Sequence, residues 1–96
     1  MATQTINFSA DGSRYYSDPI EVTGNALVVN IKLETAGGIV LERSITGEGF
    51  VYAETLQASF YTNLSLEKGI SGCVPGQKLR LRFEGGAKPE TITVLQ

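Results

Sequence analysis

Residues 26–45 read ALVVNIKLETAGGIVLERSI, and the alternation along them points to an all-β chain. Leu27, Val29, Ile31 and Leu33 fall on one side of an extended chain, with Val28, Asn30, Lys32 and Glu34 on the other. Such a period of two marks a half-buried strand, because successive side chains leave a pleated backbone on opposite faces. After two adjacent glycines the pattern resumes: Ile39, Leu41 and Ile45 share a side with Arg43, and Val40, Glu42 and Ser44 oppose them. The two runs predict a central β-hairpin over 26–45. Its apolar faces must meet, which sets Leu33 opposite Ile39, Ile31 opposite Leu41 and Leu27 opposite Ile45. Thr35, Ala36 and Gly37 are then the loop, with Gly37 in the left-handed bulge position. In this register Val28, Lys32, Val40 and Glu42 share one outward patch, and Arg43, opposite Val29, is the one charge on the core side. These five residues are the expected contact with a neighbouring subunit. For Arg43 the simpler alternative is a place near a sheet margin, with the guanidinium extended to water.

Shorter pieces of the same pattern flank this stretch. Thr3 to Phe8 places Ile6 and Phe8 inward, and Asp11, Gly12 and Ser13 form a turn. Pro19 holds its predecessor extended, so a short strand Ile20 to Val22 follows. Thr46, Gly47, Glu48 and Gly49 are a loop. Phe50 to Leu56 alternates, although Ala53 to Ala58 also contains helix formers, leaving a single helical turn there as an alternative. Phe60, Leu64 and Leu66 are expected in the core with Tyr61 outward, and Glu67 to Gly72 reads as a surface loop. Val74, Pro75, Gly76 and Gln77 carry the type II turn signature, proline second and glycine third. Leu79, Leu81 and Phe83 alternate with Lys78, Arg80 and Arg82, and Thr91 to Leu95 closes the chain with Ile92 and Val94 inward. About seven or eight short strands at this spacing imply an antiparallel β-sandwich, jelly-roll or immunoglobulin-like. The 96 residues make one domain, residues 1–96, with a single core.

Composition narrows the function classes. Hydrophobic residues make up 42% and charged residues 19%, an ordinary globular balance that argues against disorder. A net charge of −2 offers no electrostatic footprint for nucleic acid or an anionic membrane. No apolar run is long enough to span a bilayer. Met1 to Gln4 lack a basic segment followed by an apolar one, so the chain is expected to be made in the cytoplasm without a secretory signal, and to leave it only as part of an assembly. Cys73 is the one cysteine, which excludes an internal disulfide and predicts a small buried hydrophobe.

Catalysis has little to work with. There is no histidine, hence neither the usual general base nor the commonest metal ligand, and no serine–lysine or carboxylate pair stands at a recognisable spacing. The expectation is a non-enzyme without cofactor or metal: one cysteine cannot build a zinc site, and Asp11, Asp18 and Glu21, although they flank a loop, match no calcium-loop spacing. The stripe Lys78, Arg80 and Arg82 could take phosphate, sulfate or an acidic partner, but its ordinary use is pairing with glutamates on adjacent strands. Tyr15, Tyr16 and Tyr61, with Asp11 or Asp18, could stack and hydrogen-bond a sugar, which is the basis of a glycan-binding alternative.

Two sheets of so few residues supply a modest core, for which oligomerisation is a common remedy. From Tyr16, Ser17, Asp18, Pro19 and Ile20 to the last strand at Thr91 to Leu95, the layout resembles the small β-sandwich modules that decorate phage heads and tails or build fibres, and also carbohydrate-binding modules of similar topology. The first resemblance implies a structural protein, homo-oligomeric or bound in a larger assembly, with a virion accessory role. The second implies a glycan ligand.

Overall fold

The computed structural model describes residues 2–60 and 63–96. Ten strands are found among them: β1 (Thr3–Ile6), β2 (Phe8–Asp11), β3 (Arg14–Ser17), β4 (Ile20–Glu21), β5 (Ala26–Lys32), β6 (Gly37–Ser44), β7 (Val51–Gln57), β8 (Ser65–Ser71), β9 (Lys78–Gly85) and β10 (Thr91–Leu95). All pair antiparallel in two sheets, one of order β1-β10-β5-β8 and a larger one of order β2-β3-β9-β6-β7, in which β4 also pairs with β9. The sheets enclose one apolar cluster: Leu27, Val29, Ile31, Ile70, Ile92 and Val94 from the first, and Ile39, Leu41, Leu79, Leu81 and Phe83 from the second. Full burial of side chains of this size stabilises by roughly 1.5–3 kcal/mol each, so this inner layer is the main source of the fold's stability. The chain is thus the all-β sandwich that the alternation predicts.

The central hairpin is not formed. β5 pairs with β10 and β8, whereas β6 pairs with β9 and β7 in the other sheet. The inward faces of 26–45 do meet, but across the core and not side by side. Alternation states which side of each arm is apolar, and facing arms satisfy it as well as adjacent ones do. Residues 33–36 connect the sheets, and four extended residues reach about 13 Å, enough for the roughly 10 Å between packed sheets. Gly37 is accordingly not in the left-handed region. It lies buried in the β6–β9 ladder, where a Cβ would come 2.9 Å from Phe83 Cε1, so the site needs a glycine for room.

Breaks in the strands account for most of the extra elements. Ile6 and Phe8 are both buried as expected, yet the chain changes sheet between them, at Asn7, whose carbonyl accepts from Asp18 N at 2.9 Å. β3 and β4 lie in succession along β9, interrupted at Asp18 and Pro19. In the gap Ser17 Oγ accepts the hydrogen bond of Leu81 N at 2.9 Å, replacing a missing strand partner. The turn at Asp11 to Ser13 has Gly12 at φ 64°, and the turn at 74–77 has Gly76 at φ 89° with Gln77 N donating to Val74 O.

Two further expectations are corrected, and one alternative falls away. Residues 67–71 belong to strand β8, not to a loop, because β5 offers them a complete ladder from Ser65 to Ser71. Residues 51–57 are strand, as their alternation predicts, and the helical turn held as an alternative is not formed; two bulges, at Ala53 and Leu56, break their pairing with β6. Ile45, Phe60 and Leu64 are outside the core, at 86%, 82% and 48% exposure, since each lies beyond a strand end where alternation no longer fixes a face.

Candidate functional site

The outer face of the six-stranded sheet carries the densest polar chemistry. Alternation along β9 turns Leu79, Leu81 and Phe83 to the core and Lys78, Arg80, Arg82 and Glu84 outward. Register then sets Glu42 of β6 beside Arg80, and Tyr16 of β3 beside Arg82. Glu42 is buried although it lies on an outer face. Its carboxylate accepts from Arg80 Nε at 2.8 Å, Arg80 Nη2 at 2.5 Å and Arg82 Nη1 at 3.1 Å. The Arg80 guanidinium lies over the rings of Tyr16 and Phe50, 4.2 and 4.4 Å from their centroids, and such cation–π contacts strengthen when desolvated. Glu84 Oε1 is 3.1 Å from both Arg14 Nε and Arg82 Nε, the latter a charge contact without hydrogen-bond alignment. Lys78 pairs with Glu21 across β4 and β9.

Each cation of the stripe is therefore held by a carboxylate of the same chain, the cross-strand pairing expected for it. The hydrogen bond and the charge of Lys78 hold the Glu21 carboxyl below its usual range. A hydrogen bond with Tyr16, followed by the charge of Glu84, raises the Arg14 guanidinium above its ordinary value. Chemically this arrangement meets each of its cations with a carboxylate of the same chain, although the buried Arg82 Nε makes no hydrogen bond.

The residues expected to bind a glycan do not converge. Tyr15 and Tyr16 are successive in β3, so their rings leave on opposite faces: Tyr15 packs against the core, 6.3 Å from Phe83, and Tyr16 lies under Arg80. Asp11 and Asp18 are exposed, Asp11 opposite Arg14 in the β2–β3 ladder and Asp18 just beyond β3. Tyr61 lies outside the described residues. No group of three or more Asp, Glu or Cys among the described residues could hold a metal ion.

The five residues expected to share one interface patch are separated. Val28 and Lys32 are on the outer face of the four-stranded sheet, Val40 and Glu42 on the opposite outer face, because β5 and β6 belong to different sheets. Arg43 keeps its place on the core side of β6, at the margin of the sandwich, and its head group spans the two layers. Nη1 donates to Gly72 O and Nη2 to Ser71 O, both at 3.1 Å, which ties β6 to the end of β8. The charge that breaks the alternation is thus a clamp between sheets. Beside it Cys73 is buried, its amide bonded to Asn25 O at 3.1 Å.

Surface features that alternation did not reveal cluster where strands end. Ile45 and Val74, 86% and 64% exposed, line a hollow of about 450 Å³ with Pro75, Gly76 and Gln77. A hydrophobic residue next to a Gly-rich loop or a Pro-Gly turn was the available signal, at Ile45 before Thr46–Gly49 and at Val74 before Pro75. A second apolar hollow, of about 410 Å³, lies on the outer face of the four-stranded sheet around Val28, Gly69 and Leu95.

No family model matches the chain, and no curated protein matches it. Among the described residues no helix is long and apolar enough to cross a membrane.

Proposed function

We propose that this chain is a non-enzymatic structural and interaction protein, a β-sandwich that acts by burying surface against other subunits, with a virion accessory component, a head decoration or fibre module, as its concrete form. The observation that carries the reading is the apolar end of the sandwich. Ile45 and Val74 stand largely in water around a hollow with Pro75, while the chain has a well-filled core elsewhere. Contiguous exposed apolar surface of this kind is characteristic of contact sites. The ion-pair network on the six-stranded face supports the same reading, since it leaves few polar groups free to recognise a small ligand.

Strand edges are a poor route to such contacts. β7 is an edge with two bulges, and edge strand β8 carries Lys68, opposite Val29, on the core side of the ladder. Bulges and inward-pointing charges are devices that prevent edge-to-edge pairing. Contact through ends and faces is what remains. Sedimentation over a range of concentrations tests the reading. A particle heavier than one 10.3 kDa chain is expected, losing mass in Ile45→Glu and Val74→Glu variants. A single-chain particle at millimolar concentration would overturn it.

A further inference from the structure

The two outer faces treat charge differently. On the six-stranded sheet Arg14, Lys78, Arg80 and Arg82 all have carboxylate partners within the chain. The outer face of the four-stranded sheet is nearly free of charge: Thr93 and Asn30 lie side by side across it, with Val28 and Leu95 in the next row, over the 410 Å³ hollow. It carries one cation, Lys32, and one anion, Glu67. Both are exposed, and neither makes an ion pair among the described residues. They sit on adjacent strands in a diagonal relation, Lys32 opposite Ser65 and Glu67 opposite Asn30.

We infer that this face packs against the same face of a second copy about a two-fold axis that sets Lys32 of each chain against Glu67 of the other. The inference rests on the assembly reading above and names one surface and its partner. A two-fold contact is self-complementary, residue i meeting j as j meets i. A face with one unpaired charge of each sign is matched in charge by its own copy. Its remaining side chains are hydroxyls, an amide and small apolar groups, so association desolvates no further charge. With both long edges blunted, contacts fall to this broad face and to the apolar end at Ile45 and Val74, and the face is the one matched in charge by its own copy.

Charge exchange tests the pairing. Sedimentation equilibrium of the full chain is compared for the wild type, Lys32→Glu, Glu67→Lys and the double exchange. Each single exchange turns two attractive contacts into two repulsive ones and is expected to weaken association about tenfold or more. The double exchange restores opposite charges and is expected to return association to within about threefold of the wild type. Thr93→Arg, which sets a bulky cation in the middle of the face, is expected to abolish it. If the wild type associates and neither the single exchanges nor Thr93→Arg changes its mass, the face assignment is wrong while the assembly reading stands. Single exchanges that dissociate the particle without recovery in the double exchange would overturn the two-fold register. A wild type that remains a single chain at every concentration would overturn both.

Discussion

Replacing Glu42 by glutamine keeps the shape of the side chain and removes its charge, which makes it the sharpest probe of the six-stranded face. Glu42 accepts three hydrogen bonds from two guanidinium groups, and its side chain is 6% exposed. Net contributions of hydrogen bonds to charged groups are about 1.5–3 kcal/mol each. Glutamine retains one acceptor oxygen but turns an amide donor toward a guanidinium donor. Breaking a fully buried ion pair costs about 3–5 kcal/mol. Here the arginine side chains keep 27% and 20% exposure, so water recovers part of the loss. The expected destabilisation is about 2–3 kcal/mol, from the two ranges just given. For a domain of this length that is a fall in Tm of roughly 10–20 °C. Urea unfolding followed by circular dichroism measures it directly. A loss below about 0.5 kcal/mol, the range of ordinary surface substitutions, would mean that water serves the two arginines as well as Glu42 does and that the buried carboxylate is not a stabilising acceptor. Combining Glu42→Gln with Arg80→Met gives a second check, because residues of one network couple by about 0.5–3 kcal/mol, and additive losses would contradict the network.

Other expectations follow from single contacts. Arg43→Met removes the two bonds to Gly72 O and Ser71 O, and should cost about 1–3 kcal/mol while hydrogen exchange at the neighbouring Cys73 amide quickens. Gly37→Ala places a Cβ against Phe83 and the β9 backbone and should destabilise by about 1–3 kcal/mol, whereas Gly24→Ala, with nothing within 4 Å of the new atom, should change the urea midpoint little. Glu21 has its carboxyl held below the ordinary 4.5 by Lys78, so its contribution is present above pH 4.5 and is lost as the pH falls through the lowered value. The stability difference between wild type and Glu21→Gln should therefore be constant near neutrality and close below about pH 4.5 in acid titration of unfolding.

Which side of each strand faces inward was legible from residue order wherever a run of alternation was long enough. Leu27, Val29, Ile31, Ile39, Leu41, Leu79, Leu81, Phe83, Ile92 and Val94 are all in the core on the faces assigned to them. Local backbone chemistry was legible as well, at Asp11 to Ser13 and at the Pro75–Gly76 turn. Of the candidate site, the pairing of Lys78, Arg80 and Arg82 with glutamates could be anticipated in kind. The identity of Glu42 as the shared acceptor could not, because it depends on β6 lying beside β9, a neighbour 38 residues away in sequence from Glu42 to Arg80.

The stretch 26–45 separates the two kinds of information most clearly. Its residue order determined that both arms are strands, that Leu27 to Ile31 and Ile39 to Leu41 turn toward the same interior, and that Arg43 is out of place on that side. That the arms lie in different sheets, which separates Lys32 from Val40 and makes Arg43 a clamp to Ser71 and Gly72, depends on contacts made in the folded chain. The hydrophobic effect is the reason. It rewards removal of apolar area from water without regard to direction, so alternation fixes a face, while the choice of hydrogen-bonded neighbour falls to strands far along the chain.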